Sequence, residues 1–170
     1  MPIITKKNNW SSSITKYGCY AAAFILSLHL SSCNSSIFDE TITLETHSWT
    51  ESQPLSFEFD IQDTSKLYNI FLEVDHSVNF SHQNFYCMVE AYSPQGLVQQ
   101  QQSSIELADR KGNWLGDCGS ENCVKTTPFI VKTKFDLIGR YQIDLKQYTR
   151  QESLKGLNSF RLFIEEAPTP

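Results

Sequence analysis

The chain has 170 residues, 14 Lys and Arg against 19 Asp and Glu, a formal charge of −5, and 40% hydrophobic residues. That acidic balance leaves no basic footprint for a nucleic-acid binder, so no nucleic-acid partner is expected. The apolar content and length suit one packed domain.

The amino terminus reads as an export signal. Lys6, Lys7 and Lys16 precede an apolar run from Tyr17 to Leu30, followed by Leu30-Ser31-Ser32-Cys33. The run falls short of the roughly 20 residues a membrane-spanning helix needs and has the length of a secretory apolar segment. Small residues before a cysteine at its end resemble a lipobox, which makes Cys33 the lipidation site and the first mature residue. Two or more acyl chains on one cysteine give a stable membrane anchor where one chain is marginal. Residues 1–32 are then a lipoprotein signal peptide, 33–37 a lipidated tether, 38–167 a β-sandwich domain and 168–170 a tail. Cleavage removes three lysines and no acids, taking the charge from −5 to −8. Asn34-Ser35-Ser36 lacks an aspartate beside the cysteine, so the outer membrane is favoured over the inner.

From Phe38 onward short alternating apolar runs recur between polar turns, with almost no helical period. Thr41 to Trp49 opens the domain. Phe57, Phe59 and Ile61 alternate with Ser56, Glu58 and Asp60, and Leu67 to Val74 is a more fully buried run. Ser77 to Ser81, flanked by His76 and His82, reads as a loop, and the two flanking residues read as loop histidines. Phe85 to Tyr92 ends at Ser93-Pro94-Gln95-Gly96, a tight turn, and Leu97 to Leu107 is its hairpin partner. Gln99 to Gln102 fits an exposed edge or a solvent-facing strand. After a long loop, Ala108 to Asn122, come strands at Val124 to Phe135, Tyr141 to Gln147 and Asn158 to Glu165, with one short helical turn expected within Thr149 to Leu157. About eight strands in one domain imply two packed antiparallel sheets, a β-sandwich with jelly-roll-like or immunoglobulin-like order.

Three cysteines remain in the mature chain beside Cys33. Cys87 shares an apolar alternation with Phe85, Val89 and Ala91 and reads as a buried thiol. Cys118 and Cys123 are candidates for a disulfide in an exported protein, or, less readily, for zinc, since no second close pair accompanies them.

The segment Leu107-Ala108-Asp109-Arg110-Lys111-Gly112-Asn113-Trp114-Leu115-Gly116 resembles the most diagnostic stretch of the gliding motility lipoprotein GldH family of Bacteroidetes. The lipobox, the aromatic-x-aromatic strand at Phe57 and Phe59, and the turn with Pro94 and Gly96 agree with that family's layout. Two departures stand out: Asp75 precedes His76 where the family often has arginine, and Cys118 and Cys123 are foreign to the pattern. The resemblance implies a non-catalytic, membrane-anchored lipoprotein that contacts other gliding or secretion machinery proteins. In the loop, Gly112 and Gly116 permit positive backbone angles while Trp114 folds over the sandwich. Alternatively, Asp109, Arg110, Lys111, Trp114 and Leu115 form a binding surface, because loops carry binding and tryptophan dominates hot spots.

Little points to catalysis. No nucleophile-elbow pattern surrounds any serine near His47, His76 or His82, and no residue pattern asks for a cofactor. His76 and His82 are weak metal candidates. Asp109, Asp117 and Glu121 are weak calcium candidates with no EF-hand spacing. A glycan-binding lipoprotein is the alternative function, with Trp49, Tyr92 and Trp114 as stacking aromatics. That reading requires at least two of them exposed on one face, whereas an assembly component needs an apolar patch with a polar rim.

Overall fold

The computed structural model describes residues 36–168; the signal segment 1–32, Cys33 and residues 169–170 lie outside the described residues. The described chain forms β1 (Phe38–Thr43), β2 (Ser48–Thr50), β3 (Leu55–Ile61), β4 (Tyr68–Ser77), β5 (Asn84–Ser93), β6 (Gly96–Glu106), β7 (Asp117–Cys118), β8 (Asn122–Thr133), β9 (Gly139–Gln147), β10 (Ser153–Lys155) and β11 (Leu157–Glu166). One sheet runs β1-β11-β4-β8-β7, the other β3-β9-β5-β6, and β2 with β10 makes a small ribbon.

The pairings nest, β1 with β11, β3 with β9, β4 with β8 and β5 with β6, all antiparallel. A long hairpin rolled up so that its first strand meets its last produces this nesting, which is the jelly-roll order. An immunoglobulin-like order would pair its first two long strands in one sheet, whereas β1 and β3 lie in different sheets.

Alternation sets the core. β3 buries Leu55, Phe57, Phe59 and Ile61 and exposes the residues between. β4 buries Tyr68, Ile70, Leu72, Val74 and His76 and half-buries the residues between, so it is the more fully buried run the sequence suggests, although Leu67 just before it is exposed. Each fully buried large apolar side chain contributes about 1.5–3 kcal/mol relative to exposure. The core's aromatic centre is Trp49, fully buried, with its ring 4.9 Å from Phe160 and 5.8 Å from Phe85, and its Nε1 donating to the Gln53 carbonyl at 2.8 Å.

Four sequence expectations are corrected. The opening strand is two, β1 and β2, separated by a turn in which His47 has φ 49°. His76 belongs to β4 rather than a loop, because the period-two burial continues through it. No helical turn occurs between Thr149 and Leu157; β10 forms there and pairs Leu154 with Trp49. The long loop after β6 is also structured, with a bridge between Ala108 and Trp114 and the short strand β7.

Candidate functional site

The Leu107–Gly116 segment is built by its own polar groups. The N–H groups of Leu107 and Ala108 both donate to the Gln83 carbonyl, at 2.8 and 2.9 Å, and Leu115 N–H returns to the Leu107 carbonyl at 2.8 Å. The Asp109 carboxylate accepts from Lys111 N, Asn113 N and Asn113 Nδ2 at 2.8, 2.9 and 2.9 Å. These bonds, the Asn113 side chain first, hold the Asp109 carboxyl below the usual carboxylate range. Gly116 has φ +95°, and a Cβ there would collide with the Val124 carbonyl oxygen on β8. Glycine at 116 is thus demanded twice, by conformation and by close approach.

Trp114 is half-buried. Its ring centroid lies 4.6 Å from that of His76, and its Nε1 donates to the Val78 carbonyl at 3.1 Å. His76 is fully buried; its Nδ1 donates to the Ser77 carbonyl at 2.9 Å, while Nε2 has no partner among the described residues. The loop therefore lies across one end of the sandwich with the indole over β4. Leu115 is half-buried beside it, and Arg110 and Lys111 are exposed with no ion pair among the described residues.

Cys118 and Cys123 face each other across the β7–β8 turn and are bonded, Sγ–Sγ 2.07 Å. Cys87 is buried on β5, and loss of hydration pushes its thiol up to about 12. Among the described residues no three His, Cys, Asp or Glu side chains converge as a metal site would require, and Asp109, Asp117 and Glu121 do not form one. His47 bonds Asn158 and His82 bonds Gln151, at 2.9 and 3.3 Å, and among the described residues no hydrogen bond joins these or His76 to a serine hydroxyl or a thiol.

The three aromatics offered for sugar stacking are separated. Trp49 is in the core, which overturns its expected exposure. Tyr92 is at the β5–β6 turn with its hydroxyl donating to Glu90 at 2.5 Å, and Trp114 is at the opposite end beside Val78.

Sequence reasoning missed an open seam between the sheets. Among the described residues β6 and most of β8 are edge strands: β6 pairs only with β5, and β7 covers β8 only at Cys123 and Val124. Register places Gln99 and Gln101 opposite Ala91 and Val89, on the inner face, yet both are exposed. The sandwich does not close over β6. Val98 is the unpaired residue of a bulge there, and the β4–β8 register also shifts near Ile70. Between them lies a cavity of 410 Å³, lined by Phe59, Tyr92, Val98, Ile130, Phe135 and Tyr141 among others. The signal for the seam was in the sequence as a strand pattern whose inner positions are glutamines.

Residues 36–162 match the family described as GldH lipoprotein. A Gliding motility lipoprotein GldH homolog from Christiangramia forsetii is 25% identical over 85% of this chain and 93% of its own length. Gliding motility lipoprotein GldH from Flavobacterium johnsoniae is 23% identical over 81% of this chain and 89% of its own. Among solved structures, dimeric latent PorU from Porphyromonas gingivalis covers 78% of this chain and 13% of that one at 11% identity, with a TM-score of 0.26 too low to bear on function.

Proposed function

Because the chain belongs to the GldH lipoprotein family, we propose that it is a non-catalytic, lipid-anchored component of the gliding machinery that holds an extended segment of another machinery protein along β6. The observation that carries this reading is the β6 edge. Natural sheets protect edges with Lys, Pro, inward charges, bulges or a covering element. Between Gly96 and Ile105 this strand carries none of the first three, its bulge is confined to Val98 at one end, and its outward backbone groups have no partner strand among the described residues. An added strand gains affinity from main-chain hydrogen bonds and selectivity from pockets for alternate side chains. The seam offers such a pocket at Gln99 and Ile130. Asn34-Ser35-Ser36 after Cys33 supports the outer membrane as its site.

A double substitution, Gln99→Lys with Gln101→Lys, puts charge on the edge at exposed positions where surface changes typically cost within about 0.5 kcal/mol. The variant is expected to melt near wild type and to fail to restore gliding in cells lacking the native gene. Full restoration of gliding by a stably folded double variant contradicts the reading.

A further inference from the structure

The exposed apolar residues are not scattered. Of the eight large hydrophobics exposed among the described residues, six are Ile37, Leu67, Leu97, Val98, Val131 and Ile138. All six lie at one end of the jelly roll. Ile37 precedes β1 and bonds Ile164; Leu67 precedes Tyr68, which pairs with Glu166 and Thr133; Val131 lies between Ile130 and Thr133; Leu97 pairs with Tyr92. Ile138 precedes Gly139, which pairs with Ile61 at the same end. The other two, Tyr86 and Tyr148, meet at the opposite end, where Tyr148 N–H donates to the Tyr86 carbonyl at 3.0 Å.

The chain enters the domain at the six-residue end. Cys33 stands four residues before Ile37, so at most about 14 Å of extended chain separates an acyl anchor there from the apolar cluster. A tether that short holds this end against the bilayer. Charges of both signs surround it, Lys66, Lys132 and Lys134 with Asp63, Asp136 and Glu166, so the apolar side chains rather than net charge supply the attraction.

We infer that this end of the domain is a membrane-contact surface, in which Ile37, Leu67, Leu97, Val98, Val131 and Ile138 rest in the lipid headgroup region beside the anchor. The inference rests on lipidation of Cys33. It orients the molecule: the Trp114 loop points away from the membrane, and the β6 edge runs up the side from the lipid surface.

The test uses full-length lipidated protein purified from envelopes and reconstituted into vesicles of phosphatidylethanolamine and phosphatidylglycerol carrying an acyl-chain nitroxide. Single fluorophores are attached at Ile138→Cys or Leu97→Cys, and at Tyr86→Cys or Tyr148→Cys as the opposite end; the native thiols of the domain are bonded or buried. Severalfold greater quenching at 138 and 97 than at 86 and 148 supports the surface. Equal quenching at the two ends, with acylated Cys33 verified by mass spectrometry, overturns the surface alone and leaves the end to a protein partner. An unmodified Cys33 overturns the anchor and the orientation with it.

Discussion

The indole of Trp114 covers His76, ring centroids 4.6 Å apart, and donates its N–H to Val78 just beyond the end of β4. Two positions 38 residues apart in sequence thereby share one end of the sandwich. The loop's other contacts, Asp109 to Asn113 and Gly116 against Val124, hold the indole where it is.

Truncating a buried tryptophan to alanine costs about 3–5 kcal/mol. For the half-buried Trp114, Trp114→Ala is expected to destabilise the domain by about 3 kcal/mol, the lower part of that range, and so to lower the melting temperature, and Trp114→Phe by less. Thermal unfolding of the two variants decides it. An unchanged melting temperature together with lost gliding would instead make Trp114, with Arg110 and Lys111, a contact surface.

Gly116→Ala is expected to destabilise the domain by more than about 1 kcal/mol, because the new Cβ meets fixed backbone and the residue sits at φ +95°. Gly119→Ala is the matched control. Its Cβ would lie 3.8 Å from the nearest atom, the Asn122 carbonyl oxygen, so little change is expected. Comparable losses from both in denaturant titration would contradict the packing argument.

The layout of strands was legible because the inner face of a sandwich repeats every second residue, as Phe57, Phe59 and Ile61 do. His76 was misread because its residue type masked its period: it occupies the next inward position after Val74. β10 was invisible for a different reason. Three residues, Ser153-Leu154-Lys155, carry no pattern of their own and become a strand only by pairing with β2, 105 positions away for Ser48 and Ser153, whose hydroxyls bond each other. The jelly-roll order likewise resides in long-range pairings such as Phe38 with Ile164, which no local window contains. In the candidate site, the resemblance singled out the Trp114 loop, while the seam along β6 required knowing that no strand covers Gln99 and Gln101.

Burial holds the Cys87 thiol at about 12, above its ordinary 9.0. The unfolded chain releases that proton from about pH 9 upward while the folded protein keeps it, so this residue's contribution to stability is complete below pH 9 and is lost as pH rises toward 12. Alkaline unfolding is expected to shift to higher pH in Cys87→Ala, relative to that variant's own neutral stability. Native Cys87 is expected to resist alkylation at pH 8 and to react once the protein is unfolded; rapid labelling of the native protein would contradict its burial.

The bond between Cys118 and Cys123 closes a short loop, for which chain entropy gives about 2 kcal/mol of stabilisation. Reductant is expected to lower the melting temperature modestly without abolishing folding, since the main core lies elsewhere. Thiol counting with and without reductant should find this one protected pair in the mature domain. Two freely reactive thiols at these positions in the native, unreduced protein would contradict it.

The central claim is that β6 receives a strand from another gliding-machinery protein, and the most direct measurement is site-specific photocrosslinking in gliding cells. A photoreactive residue at Gln101, on the open edge, is compared with one at Glu58 on β3, the far edge of the same sheet. The account predicts a discrete crosslinked product at 101 that contains a gliding-machinery protein and is absent at 58. No product at 101 in cells that glide normally, or equal products at both positions, would contradict it.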